Sequence, residues 1–186
     1  MALFGVTFTD QLIAAGDDAV LHRRLLDDGI LYGCGMSASG SSLTIARGWL
    51  HACGRVIGND AALAVEIPAT SGFARVKLVI DLSGAATTEI FSQVSLAVET
   101  ADTVAGFPAL VREDLDDGVS TTYEVALAVV SCSSQGIAIV STLGASAITA
   151  DVLGLAADQV RPIKIGTATP TENTLAEGEI YLKYST

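Results

Sequence analysis

The stretch DDGILYGCGMSASGSSLTIARGWLHACGRVI, residues 27–57, carries three side chains suited to metal or redox chemistry: Cys34, His51 and Cys53. On an extended chain His51 and Cys53 share one face, because strand side chains alternate with period two. Thiolates and imidazoles are zinc ligands, but a zinc tetrahedron takes four, usually from closely spaced pairs. Neither a pair nor a fourth ligand accompanies these three. A cysteine nucleophile needs a base that holds it as thiolate. The only histidines are His22 and His51, and strand neighbours two apart diverge from a common substrate. Cys132 stands far away, and three widely spaced cysteines suit buried free thiols better than a disulfide framework.

Other chemistries fare no better. Asp114, Asp116 and Asp117 in REDLDDG could offer oxygens to calcium, yet the run lacks the alternating ligands and distant glutamate of a calcium loop, so a solvated acidic loop is expected. GCGMSASG is glycine-rich with no lysine and no following helix, which removes a phosphate cradle. The chain has no Gly-x-Ser-x-Gly elbow to anchor a hydrolase. Trp49 and the tyrosines Tyr32, Tyr123, Tyr181 and Tyr184 could stack on sugar rings, although at 5% aromatic content they serve a core or an interface equally well. These residues predict no catalytic set, no metal and no cofactor. They leave Trp49 as a candidate glycan contact.

The elements that must position these residues are mostly strands. GDDAVLHRRLLDDG reads as a short helix, with Asp17 or Asp18 as cap, Leu21 and Leu25 one turn apart, and Gly29 as a left-handed stop. Asp27 and Asp28 oppose the dipole at its far end, so that end is expected to be solvated or to meet a base on another chain. After Gly29 the texture is short β-rich runs divided by Gly, Ser, Asn, Asp and Thr. Strands are predicted at ILYGCGM, SLTIA, WLHACGRVI, LAVEI, FARVKLVIDL, IFSQVSLAV, TTYEVALAVVS, GIAIVS and EIYLKY. In residues 73–82, Ala74, Val76, Leu78, Ile80 and Leu82 alternate with Arg75, Lys77 and Asp81, giving one buried and one wet face. Tyr123, Val125, Leu127 and Val129 form one face of a later strand, whose opposite face is also apolar. Residues 145–162 are alanine-rich and predict one helical turn before Pro162. They lead to a strand, an open loop at Pro170 and a final strand. The expected fold is mainly β, an antiparallel β-sandwich or barrel-like domain with a short N-terminal α-helix. Its organisation is an attachment segment over 1–29 and a β-rich domain over 30–186, or one continuous domain overall.

The chain of 186 residues is half hydrophobic, with 17% charged residues and a net charge of −11. That balance indicates a folded chain and disfavours nucleic acid and anionic membrane surfaces as partners. No apolar run reaches the ~20 residues of a membrane helix, and the start lacks a basic flank, so synthesis in the cytoplasm is expected. The positive mean hydropathy with few aromatics favours apolar surface covered by neighbouring chains.

In this arrangement the chain resembles the baseplate and tail-fibre structural proteins of tailed bacteriophages and of prophage-derived tail particles. The residues that carry the resemblance are Gly29, Leu31 and Gly33, then Leu43, Ile45 and Gly48, then Gly54, Arg55 and Ile57. Residues 123–140, a strand, glycine turn and strand, and the ending KIGTATPTENTLAEGEIYLKYS are similar too. The resemblance implies a β-meander, a non-enzymatic virion role in tail tip, baseplate or fibre, and homotrimers whose N-terminal segment attaches to other tail proteins. Leu21, Leu25 and Leu26 are the expected assembly residues. Family members are often longer, with a receptor-binding head, so an adaptor role is expected here. A carbohydrate-binding module for host adhesion, stacking sugar on Trp49, is the alternative.

Overall fold

The computed structural model describes residues 15–69, 71–86 and 91–147 and the backbone of two later strands. It divides into a unit ending at Ala147 and a second beginning at Ile148. The first is mainly antiparallel β-structure with one short helix, as the strand pattern predicts; of the sandwich and barrel-like forms expected, it is sandwich-like and not a closed barrel.

One layer is a bent meander. β1 (Gly29–Gly33) and β2 (Met36–Ser39) run on from one another, as do β3 (Ser42–Ile45) and β4 (Gly48–Ala52). Between them the ladder continues through the Cys34 N–H to Arg47 O bond (3.1 Å) and the Ala46 N–H to Gly35 O bond (2.8 Å). The bend lies at Gly33 and Cys34, both left-handed (φ 67° and 53°). β5 (Arg55–Asn59) adds to β4 and β6 (Leu63–Glu66) to β3, so the layer is two three-stranded sheets, β1–β4–β5 and β2–β3–β6. The predicted strand WLHACGRVI is thus a hairpin. Its two turn residues, Cys53 and Gly54, have φ of 46° and 79°, the pattern of a tight hairpin turn with both central residues left-handed. The expectation that His51 and Cys53 share a strand face therefore fails: Cys53 is in the turn, beyond β4.

The other layer is a four-stranded sheet in the order β10–β9–β7–β8, from β7 (Gly72–Asp81), β8 (Val94–Ala101), β9 (Thr122–Ser133) and β10 (Gly136–Thr142). Ala74, Val76, Leu78 and Ile80 of β7 are buried as their alternation predicts. They pack with Leu43, Ile45, Leu50 and Val65 of the meander in one core. Each such large side chain stabilises the fold by about 1.5–3 kcal/mol. β9 departs from simple alternation. Val76 pairs with Ala128 but Lys77 with Ala126, so Leu127 is an extra residue in a bulge. The bulge buries Leu127, Ala128 and Val130 and moves Val129 opposite Arg75, away from the face that Val125 shares with the core.

The outer face of this sheet is crossed by the connection from β8 to β9, which includes a 3₁₀ turn at Val104–Gly106. Arg75 bonds Glu99 and the Pro108 carbonyl (2.6 Å to the latter), with its guanidinium 4.9 Å above the Phe107 ring. Lys77 donates to Glu124 at 2.6 Å, and Glu124 also accepts the Val111 N–H at 3.0 Å.

Helix α1 spans Ala15–Leu25. Asp17 and Asp18 lie within the helix, after Ala15, and not before its start. Gly29 opens β1 instead of ending the helix, and it is not left-handed. No helix among the described residues is long and apolar enough to cross a membrane. In the second unit β11 (Ile163–Gly166) and β12 (Ile180–Lys183) pair in parallel. The predicted helical turn before Pro162, the loop at Pro170 and the side chains of Tyr181 and Tyr184 lie outside the described residues.

Candidate functional site

Three surfaces of the first unit hold the residues that the sequence singles out. The first is α1. The Ala19 carbonyl lies so close to Gly54 that a Cβ there would collide with it, and Ala19 is buried. Arg23, one turn on, donates to Asp114 (2.5 Å) and Asp116 (2.9 Å). Helical geometry places Leu21 and Leu25 about 200–240° round from Ala19, on the opposite face. They are 47% and 44% exposed. The third expected assembly residue, Leu26, lies past the helix on the inward side and is half-buried. The helix thus turns a small residue toward its own domain and its leucines outward.

The acidic loop has a use within the chain. Asp114 and Asp116 hold Arg23, and Asp117 accepts the N–H groups of Val119 and Ser120 (2.8 and 2.7 Å). These bonds hold the Asp117 carboxyl below its ordinary range, with the Ser120 N–H contributing most.

The second surface is the elbow between α1 and β1. Asp28 accepts the Cys53 N–H (2.8 Å) on one oxygen. On the other it accepts the Tyr123 hydroxyl (2.9 Å) and Arg112. Arg112 also reaches the Tyr123 hydroxyl (2.5 Å), its guanidinium 4.7 Å from the ring centre. The acid that opposes the dipole at the helix end therefore meets a base of its own chain, not another's. That mismatch was the sequence signal for this node; Arg112, 84 residues away, had none.

Beside it His51 is fully buried. Its Nδ1 lies 3.2 Å from the Asp27 carbonyl. A carbonyl only accepts, so Nδ1 carries the proton and Nε2 has no partner among the described residues. Burial pushes the His51 pKa down, more than the Asp27 carbonyl and the nearby carboxylates raise it. Asp27 also holds residues 145–147: its N–H donates to the Ala147 carbonyl (2.9 Å), and its carbonyl accepts the Ser146 hydroxyl (2.6 Å).

All three cysteines are buried and free. Burial raises their pKa values, at Cys53 against the lowering influence of Arg23 and Arg55, which disfavours thiolate. Among the described residues no three metal-capable side chains converge.

The third surface is the outer face of β1–β4–β5. Tyr32 stands directly opposite Trp49, and Trp49 opposite Gly58. Tyr32 is 73% and Trp49 49% exposed, whereas Tyr123, the other tyrosine with a described side chain, is engaged in the elbow.

No protein-family profile and no curated protein matches the sequence. The functional reading therefore rests on these surfaces and on the motif resemblance.

Proposed function

We propose that this chain is a non-enzymatic structural subunit of a phage-like tail particle, placed in the tail tip, baseplate or tail fibre. It is made in the host cytoplasm and built into the virion. It assembles with copies of itself as a homotrimer and with other tail proteins. The observation that carries the assembly reading is the orientation of α1. A helix that turned its leucines to its own core would need no partner. This one is held to its domain by Ala19 against Gly54 and by Arg23 on Asp114 and Asp116, and it offers Leu21 and Leu25 outward. β8 and β10, the edge strands of the four-stranded sheet, offer further pairing surface. The particle is assigned from the motif resemblance.

Mass by light scattering is expected to give a trimer. The double change Leu21→Glu with Leu25→Glu should leave the fold intact and weaken assembly about 100-fold or more, because two leucines each worth about 1.5–3 kcal/mol on burial are lost. Gold-labelled antibody against the chain should decorate tail ends in electron micrographs of particles released by producing cells. A compact monomer at high concentration, insensitive to the double change, with unlabelled particles, would overturn the reading.

A further inference from the structure

The aromatic face of β1–β4–β5 is not used by the assembly reading. Directly opposed residues of an antiparallel pair have Cβ atoms about 4.5–5.5 Å apart, so Tyr32 and Trp49 are exposed neighbours on β1 and β4 and make an aromatic ledge that the indole extends over β5. The indole has a seat. A Cβ on Gly58 would lie 2.6 Å from indole Cε3 and Cζ3, so the ring rests over the bare backbone of β5. With one face on the strand and half its surface exposed, the indole presents its other face outward. Only glycine at position 58 permits this lie.

The second observation is a charge. In a chain of net charge −11, the described cations are otherwise engaged. Arg23 and Arg55 serve the acidic loop, Arg75 and Lys77 the Glu99–Glu124 network, Arg112 is held at Asp28, and Arg24 has an interaction of its own. Arg47 is exposed, has no ion pair or side-chain hydrogen bond among the described residues, and stands two residues before Trp49. A guanidinium left unpaired amid a surplus of acids, beside an aromatic ledge, is complementary to one carboxylate joined to a body with a flat apolar face.

We propose that this face binds a carboxylate-bearing pyranose. The sugar's C–H face stacks on Trp49 and Tyr32, and its carboxylate pairs with Arg47 through two parallel N–H···O bonds. A nucleic acid offers rings and anions too, but its many phosphates need many cations, and among the described residues Arg47 is the one left unpaired close to Trp49 in the chain. The same argument restricts the ligand to an isolated or terminal acidic sugar, since a polyanionic glycan would be repelled by the rest of the surface. The inference is independent of the tail assignment.

Trp49 is the only tryptophan, so the intrinsic emission of the full chain reports from the ledge itself. The probes are the methyl glycosides of glucuronic, galacturonic and N-acetylneuraminic acids, with methyl glucoside and methyl galactoside as neutral controls. At least one acidic glycoside should change the emission saturably and bind about tenfold or more tighter than the neutral sugars, the discrimination of one charge-assisted contact. Arg47→Gln should erase that preference while leaving the emission of the free protein unchanged, and Tyr32→Ala should weaken all binding. Absence of a saturable response to all three acids would overturn the proposal. So would equal response to acidic and neutral sugars, or an Arg47→Gln protein that binds like the parent. Emission that shifts to the blue with protein concentration and without sugar would assign the ledge to a second copy of the chain and equally overturn it.

Discussion

Removing the Asp28 carboxylate tests how the elbow is held. Asp28→Ala deletes the acceptor for the Cys53 N–H, the Tyr123 hydroxyl and Arg112 in one step. Cys53 is buried, and its N–H would lose its acceptor at a cost of about 1–3 kcal/mol. The Arg112 side chain is 43% exposed and Asp28 21%, so screening limits their ion pair to about 1 kcal/mol. The hydroxyl can still turn to water, and its lost bond is worth about 0.5–1 kcal/mol. The expected sum is about 2.5–5 kcal/mol, concentrated on the Cys53 N–H. Urea unfolding followed by Trp49 emission measures it as a fall in midpoint at unchanged slope. A double-mutant cycle of Asp28→Ala with Arg112→Ala should return a coupling near 1 kcal/mol, and with Tyr123→Phe a smaller one. A loss below about 1 kcal/mol for Asp28→Ala would refute the reasoning, because the buried N–H would then have another acceptor.

Gly54→Ala should destabilise by about 2 kcal/mol or more and free α1, since φ of 79° disfavours any side chain and the new Cβ meets the Ala19 carbonyl; amide exchange across α1 should accelerate. At His51 the folded pKa lies below the ordinary value of about 6.5, so the unfolded chain takes the proton first as pH falls. Stability is therefore full above about pH 6.5 and declines below it, by up to about 1.4 kcal/mol per pH unit, until the folded pKa is passed. Urea midpoints at stepped pH should show that slope between about pH 6.5 and 5, and His51→Phe should flatten it. Glu124 acts lower down: burial raises its pKa, but Lys77 and the Val111 N–H outweigh that and hold it below 4.5, so its contribution is present above about pH 4.5 and lost as pH falls further. Glu124→Gln should remove part of the acid limb and leave the His51 slope in place.

Local patterns carried much of the fold. The alternation in β7 identified its buried face because that strand is regular along its whole length. The same reasoning misassigned Val129, since a bulge at Leu127 changes the face without changing composition, and its cause is the register against β7. The hairpin inside WLHACGRVI was hidden for another reason. Its turn uses Cys53 where asparagine or aspartate usually signals two left-handed residues, and the cysteine is there because its side chain is buried. Trp49 was visible as a residue type. Its partner Tyr32 and its seat on Gly58 depend on strand pairing, which one strand's sequence does not reveal.

The helix shows what periodicity can and cannot say. Leucines one turn apart state that a face of α1 gains from burial, but the pattern is the same whether that face meets its own domain or another chain. What decides is the competing face. Ala19 can approach the Cys53–Gly54 turn closely because it is small and because Gly54 has no Cβ, and Arg23 on that side finds two carboxylates at once. Asp28 then fixes the exit of the helix against β9 through Tyr123. These contacts leave no rotation of α1 that buries Leu21 and Leu25 in the first unit without breaking the Arg23 pairs and parting Ala19 from Gly54. The outward leucines follow from three short-range constraints, and the proposed assembly would bury them against a surface other than that of the first unit.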